Sequence, residues 1–365
     1  MSVSPPALRV GLIGVGFGAK VHAPAFQSEG CEITAVVARR HERAEAAKAQ
    51  LGAKHAFTDF HAMLQLDEID AVAIASPPAD HREMVLAALA AGKHVLCEKP
   101  FALNVAEAEE MRAAAARSGL TAMVAHEFRF TAGRMRVKEL LDEGYIGAPR
   151  FVRASLLMNR PAPAEPLEFL AQRDDAEAGA GLLFALGSHY IDGLLHWLGP
   201  VASVSGDLRT FAGDRVSEGG LVQASADNFL LVTLRFESGA IAQLTASAAA
   251  PFAAVSSIEL YGEAGTLVTP QTGGNPPPHG PVLGARLGEP ALAELDIPER
   301  LRSFSDDRDE RLFAFRLLVR AFKAGVAAGT SPAPNFDDGL RVQRVLDAVR
   351  RSAATGEAVT ISPGV

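Results

Sequence analysis

An apolar run of strand length, Leu8 to Ile13, leads directly into Gly14-Val15-Gly16-Phe17-Gly18-Ala19, and this junction restricts the fold more than any other stretch. It fits a G-x-G-x-x-G/A turn, with Gly14, Gly16 and Ala19 at the three small positions. The first small residue makes a tight turn and the second lets backbone approach a pyrophosphate. The third lets the following helix, expected over Lys20 to Gln27, pack closely on a sheet. The start of that helix offers N–H groups and a favourable dipole to a phosphate. Phe17 and Gly18 lie inside the turn and join it as candidate dinucleotide contacts.

Strand and helix then alternate through the first third of the chain. Glu32 to Ala38 reads as a strand and His41 to Leu51 as an alanine-rich helix. Ala71 to Ala75 is a short apolar strand, and Asp80 to Ala91 a helix ended by Gly92. A strand over His94 to Cys97 precedes a helix over Val105 to Arg117, with Asn104 placed as its N-cap. Leu120 to Ala125 closes the series. Repeated βα units with fully apolar strands predict a parallel sheet covered on both faces. The second strand ends Val37-Ala38-Arg39-Arg40, with no acid before Glu42. A site for NAD usually carries an acid there for the ribose 2′-hydroxyl, and a site for NADP an arginine near the 2′-phosphate. Arg39 and Arg40 therefore favour NADP over NAD; the other reading makes them solvated residues at a helix start, where acids are the better fit.

The fourth apolar strand stops at Glu98-Lys99-Pro100-Phe101. In an open parallel sheet, ligands gather at the carboxyl ends of the strands. A lysine held there by the restricted backbone before proline can exchange a proton or hold a developing charge. An ordinary turn with a solvated lysine is the alternative.

After Ala125 the alternation fades. Thr131 to Glu143 is predicted helical, Arg150 to Met158 a strand and Arg160 to Pro166 an irregular proline-rich stretch. Leu182, Leu186, Ile191, Leu194, Leu195 and Leu198 have helical spacing, and His189 and Asp192, three apart, share a face. Three readings compete: a buried structural histidine, a metal site from His189, Asp192 and His196, and an acid/base group. Phe229 to Phe236 and Ala240 to Ala248 flank Glu237-Ser238-Gly239 as a hairpin. Ser256 to Tyr261 and Thr266 to Thr269 add short strands, so the second half is an α+β domain with antiparallel sheet. Asp309 to Ala327 and Asp337 to Ala354 read as amphipathic helices.

At 365 residues the chain is long enough for two domains, expected at 1–126 and 127–365. A net charge of −8 and the absence of any Lys/Arg stripe argue against a nucleic-acid or anionic-membrane surface. One Trp and three Tyr leave few platforms for stacking bases. Met1 to Pro6 lacks the charged and apolar regions of a signal peptide, and no apolar run is long enough to span a bilayer, so a cytoplasmic location is expected. Cys31 and Cys97 sit in apolar strand contexts and read as buried reduced thiols, with a disulfide between them as the alternative.

Taken together, four stretches resemble the Gfo/Idh/MocA family of NAD(P)-dependent oxidoreductases, which includes glucose-fructose oxidoreductase and inositol dehydrogenases. They are Gly14-Val-Gly16-Phe-Gly-Ala19, Asp70-Ala-Val-Ala-Ile-Ala-Ser-Pro77, Ala91-Gly-Lys-His-Val-Leu-Cys-Glu98-Lys99-Pro100 and Gly187-Ser-His189-Tyr-Ile-Asp192. The resemblance implies an α/β fold: an N-terminal Rossmann-type, doubly wound parallel sheet, then a C-terminal α+β domain whose open, mostly antiparallel sheet also pairs subunits into dimers or tetramers. It implies that Ser76, Pro77, His81, Glu98 and Lys99 join the glycine-rich turn in holding NADP or NAD. It implies further that Lys99 and His189 surround a reacting carbinol of a sugar, cyclic polyol or related small molecule. Asp192 matches the acid of Gly-x-His-x-x-Asp and is expected to orient His189 or hold a substrate hydroxyl, whereas the acid often found four residues before the histidine is Ala185 here. Arg129 and Arg173 are candidate substrate contacts, with a surface or domain-junction salt bridge as the other reading of each. Transient oxidation by a tightly held cofactor, serving hydrolysis or epimerisation, is an alternative use of the same scaffold. A cofactor-loaded sensor is another, although a sensor requires neither Lys99 nor His189.

Overall fold

In the computed structural model, residues 7–158, 179–211, 214–217, 220–223, 225–253, 255–272 and 275–362 are described. The chain forms two compact units, one of Met1–Glu127 with Asp306–Leu340, the other of Phe128–Ser305 with Arg341–Val365.

The first unit is built on six parallel strands: β1 (Arg9–Ile13), β2 (Glu32–Val37), β3 (His55–Phe57), β4 (Ala71–Ile74), β5 (His94–Cys97) and β6 (Ala122–Val124). Their order in the sheet is β3-β2-β1-β4-β5-β6, and every neighbouring pair is parallel. Such a sheet needs crossover helices, and α1 (Ala23–Ser28), α2 (His41–Leu51), α3 (Phe60–Leu64), α4 (Pro78–Ala90) and α5 (Val105–Ser118) supply them. Strands β4 and β5 are apolar without alternation because both faces are covered, and Ala71 to Ile74 and Val95 to Cys97 are buried throughout. The strand order reverses between β1 and β4, and this crevice is where open α/β sheets take ligands.

The run Asp306–Leu340 belongs to this unit, although the sequence reading placed everything after residue 126 in the second domain. Its Phe322 ring packs edge-on against Phe26 of α1 at 6.1 Å, and Arg316 and Arg320 both pair with Glu29. An apolar helical stripe shows that a helix packs, but not on which sheet.

The second unit opens with α6 (Ala132–Asp142) and carries the helix α7 (Ser188–Leu198). Its nine-stranded sheet uses β7 (Pro149–Leu157), β8 (Val201–Arg209), β11 (Phe229–Phe236), β12 (Ile241–Ser247), β13 (Ser256–Gly262), β14 (Gly265–Gln271), β15 (Val282–Arg286), β16 (Ala293–Leu295) and β17 (Val359–Thr360). The order is β16-β15-β14-β13-β7-β12-β11-β8-β17. All pairs are antiparallel except β7 with β12, so the sheet is mixed and mostly antiparallel. Strands β9 (Asp214–Ser217) and β10 (Gly220–Gln223) form a separate two-stranded ribbon. Burial alternates along β11, with Leu230, Val232, Leu234 and Phe236 inward, as expected of a sheet with one covered face. On the other face Phe151, Ile241 and Tyr261 are exposed, and Arg153 pairs with Glu259.

The helices α8 (Leu312–Ala328) and α9 (Phe336–Thr355) lie within a few residues of the boundaries read from periodicity. Cys31 and Cys97 are free and buried, and burial pushes both thiols up, Cys31 to about 11. Among the described residues, no helix is long and apolar enough to cross a membrane.

Candidate active site

In the first unit the glycine-rich turn leaves β1 at the switch point of the sheet. Gly14 has φ +93°, and a Cβ there would stand 2.4 Å from the Ala75 carbonyl oxygen, so only glycine makes this turn. Its N–H donates to the Val37 carbonyl at 3.0 Å, which ties the turn to the end of β2. A Cβ on Gly16 would meet nothing within 4 Å. Open space at the second small position is what a closely approaching pyrophosphate needs, and the turn fits a dinucleotide on that count. Ala19 is buried, and Gly18 beside it is also tightly packed, since a Cβ there would lie 2.9 Å from Leu12 Cδ1. The helix starts with a widened π-type turn, Gly18–His22.

That widened turn also aims His22 inward. His22 is fully buried, with Nε2 2.8 Å from Glu98 Oε1, and its ring lies 4.3 Å from that of Phe315. Glu98 Oε2 accepts the Lys99 N–H at 3.0 Å. Burial opposes ionisation of Glu98, but the His22 hydrogen bond and charge, with Lys99, outweigh it and hold the carboxyl below the usual range. Lys99 itself is half-buried two residues beyond the end of β5, and its peptide bond to Pro100 is cis. Phe17 lies edge-on to Phe315 and under the Arg311 guanidinium, 5.0 Å from the ring centre.

His81 ties two strand ends together. Its Nδ1 is 3.0 Å from the Pro100 carbonyl and its Nε2 3.0 Å from that of Ser76. Burial lowers its pKa, and a neutral imidazole has one N–H to share between the two oxygens. Ser76 and Pro77 are half-buried between β4 and α4. Arg39 and Arg40 are exposed just beyond β2, with Arg40 as the residue before α2.

In the second unit, His189 is the second residue of α7, which again follows a π-type turn, Leu183–Gly187. Its ring is buried and stacks on Phe128 at 3.9 Å with planes 10° apart. Asp192, one turn along α7, is 1% exposed, and both its oxygens take Arg129: Nε to Oδ2 at 2.7 Å and NH2 to Oδ1 at 2.5 Å. The pair is buried, with side chains 6% and 1% exposed. Beneath it the Arg134 guanidinium lies 4.4 Å from the centre of the Tyr190 ring, and the Tyr190 hydroxyl donates to Gln271 Oε1 at 2.8 Å. Burial pushes the Tyr190 hydroxyl up to about 12. Gly193 leaves room for that guanidinium, since a Cβ would come within 3.2 Å of it. Ala185 is exposed on the π-type turn. Arg173 and the proline-rich stretch 160–166 lie outside the described residues. Among the described residues, no three His, Cys, Asp or Glu side chains are grouped to hold a metal ion.

Sequence reasoning overlooked His22, Glu127, Phe128 and Arg134. His22 follows the glycine turn at helical spacing from Gly18, and Glu127 and Phe128 stand in the same His-Glu-Phe-Arg-Phe run that singled out Arg129. Nothing in one sequence marks them as buried.

Comparison with known proteins places the chain in a family. A family profile described as "Oxidoreductase family, NAD-binding Rossmann fold" matches residues 8–126, and one described as "GFO/IDH/MocA C-terminal domain" matches residues 135–268. An uncharacterized oxidoreductase of Synechocystis sp. is 32% identical over 95% of this chain and 94% of its own. The dTDP-3,4-didehydro-2,6-dideoxy-alpha-D-glucose 3-reductase of Actinomadura kijaniata is 31% identical over 95% of this chain and 96% of its own. Levoglucosan dehydrogenase, solved with NADH and levoglucosan, superposes with a TM-score of 0.88 over 98% of this chain and 100% of that one, at 24% identity, which is a likeness of fold. With both halves of the chain matched and full-length relatives above 30% identity, the chain belongs to the Gfo/Idh/MocA family and is an NAD(P)-dependent oxidoreductase.

Proposed function

We propose that the protein moves a hydride reversibly between a CH–OH group of a sugar, cyclic polyol or related small molecule and a nicotinamide cofactor, with Lys99 and His189 in the acid/base roles. The observation that carries this reading is the fixed Glu98-Lys99 step at the carboxyl end of β5, anchored by the buried His22–Glu98 pair in the unit that holds the glycine-rich turn. The cofactor, when bound, accepts or returns the hydride. In the oxidising direction R₂CH–OH becomes R₂C=O, and the hydroxyl proton must leave. His189 takes that proton as general base, and the Lys99 ammonium hydrogen-bonds the same oxygen and offsets its developing negative charge. The flat stack on Phe128 supports a fixed plane for the His189 ring. Asp192, engaged by Arg129, acts on this site by holding α7 in place.

A sugar-type substrate is supported by the sugar reductase among the relatives. For the cofactor, the absence of an acid between β2 and Glu42, with exposed Arg39 and Arg40 in its place, supports NADP over NAD. The exposed apolar residues Phe151, Ile241 and Tyr261 on the uncovered face of the mixed sheet support a homodimer or homotetramer formed through that face.

The test is a calorimetric titration of the cofactor-free protein with NADPH and with NADH, followed by turnover of aldoses, anhydrosugars and cyclic polyols with the better-bound partner. Tighter NADPH binding that is lost in Arg39→Ala/Arg40→Ala is the expected result. Tighter NADH binding would remove the arginines from the cofactor site, and no oxidation of any CH–OH compound by either cofactor would overturn the reaction assignment.

A further inference from the structure

Glu127 is a buried acid that the reaction proposed above does not use. It opens a single 3₁₀ turn, Glu127–Phe130, just beyond β6. Strand β6 runs parallel to β5 with Val124 opposite Cys97, and the Ala125 N–H donates to the Cys97 carbonyl at 2.7 Å. Two adjacent parallel strands therefore release Glu98-Lys99 and His126-Glu127 at the same edge of the sheet. Both carboxyls are withdrawn from water, Glu98 at 7% exposure and Glu127 at 4%. Glu98 is hydrogen-bonded to His22 and accepts the Lys99 N–H. A second carboxylate beside it would carry the repulsion of the first with no water to soften it.

We propose that Glu127 stands as a neutral carboxylic acid beside the Glu98–Lys99 pair, and that its neutrality keeps the Lys99 charge available to the reacting oxygen, which makes Glu127 a positioning residue for Lys99. The inference deepens, and rests on, the role given to Lys99 above. Among the groups acting on Glu127 are Glu98 and Lys99 from the end of β5, Arg311 from the segment before α8 and a backbone hydrogen bond within Glu127 itself, with His126 next to it in the chain. Burial raises its pKa most, the Glu98 charge adds to this, and Lys99 and Arg311 offset part of it, leaving the acid pushed up to about 8. Below that pH one carboxylate faces Lys99. Above it there are two, and the second draws the ammonium's field away from a substrate oxygen that is becoming negative.

The full-length protein, reductively methylated with ¹³C-formaldehyde, gives each lysine a dimethylamine signal that keeps its charge and reports its surroundings. The spectrum of Lys99→Met assigns the Lys99 signal by its loss. In the wild type that signal is expected to show an inflection near pH 8, and Glu127→Gln, which imitates the neutral acid, is expected to lack it while binding NADPH and NADH with wild-type affinity. The same titration curve in wild type and Glu127→Gln would overturn the inference. Should Glu127→Gln fail to fold by circular dichroism, Glu127→Asp serves instead: the inflection should move by at least about half a pH unit, and an unmoved one counts against Glu127. Turnover of Lys99→Met separates the two layers. An active Lys99→Met removes the role of Lys99 and the inference with it. An inactive Lys99→Met with identical titrations in wild type and Glu127→Gln removes the inference alone.

Discussion

The surroundings of Lys99 and those of His189 are both buried and both charged, but their charges are settled in opposite ways. Around Lys99 the charges are shared and unequal: Glu98 is held by a histidine and a backbone N–H, and Glu127 keeps its proton far above the usual carboxylate range. Around His189 they are closed off, because Arg129 and Asp192 satisfy each other through two hydrogen bonds and the imidazole itself stacks on an apolar ring. A closed pair fixes geometry. An open set of titratable groups can change state during a reaction, which is why perturbed carboxyls gather at functional sites. Helix α7 is thus scaffolded by charge, whereas the end of β5 is tuned by it.

The largest effect expected from this contrast is at Lys99. Lys99→Met keeps the length of the side chain and removes its charge and its protons, so turnover should fall by about 10²- to 10⁴-fold. Binding of NADPH and NADH, measured calorimetrically, should stay near wild type, since Glu98 keeps its bond to His22. Near-normal turnover would place Lys99 among ordinary strand-end residues. The Arg129–Asp192 pair should show its effect in stability instead. Asp192→Ala leaves a buried guanidinium without its carboxylate, and losses of about 3–5 kcal/mol are typical of such breakage. Urea denaturation should recover much of that loss in Arg129→Met/Asp192→Leu, where no charge is left stranded. If the double variant is stable but inactive, Asp192 does more than hold α7.

Much of this was legible in the sequence, for physical reasons that differ between the units. The parallel sheet announces itself because its strands are buried on both faces, so Ala71 to Ile74 and Val95 to Cys97 are apolar without a break. Glycine positions could be read where the backbone leaves no choice, as at Gly14 with its positive φ. The π-type turn at Gly18–His22 was not legible, because it adds a residue without changing the pattern of small side chains. The return of Asp306–Leu340 to the first unit was hidden for a similar reason, since an amphipathic stripe does not say which partner it faces. For the candidate site, residue types with obvious chemistry stood out in the sequence, namely Lys99, His189 and Asp192. Those whose importance comes from burial beside a second charge, Glu127 and His22, did not, because burial is a property of the packed chain. Asp192 is expected to orient His189 or hold a substrate hydroxyl; that it also takes Arg129, from a turn 63 residues earlier in the chain, was not legible.

The smallest effect expected is at Phe128, and it probes the His189 surroundings without touching a charge. Phe128→Leu keeps an apolar side chain but removes the flat face under the imidazole, so the stacking contribution of about 0.5–1.5 kcal/mol is lost. A purely structural role predicts that stability falls by that amount, in chemical denaturation, with the pH profile of kcat unmoved. A role in setting the ring plane of His189 predicts a fall in kcat with little change in KM, because a tilted base meets the hydroxyl proton less directly. The contrast with the Lys99 cluster makes the second outcome the expected one: where charges are closed off, orientation is the means left for controlling His189. Wild-type kcat in Phe128→Leu would show instead that α7, held by Arg129 and Asp192, orients the histidine without help from the stack.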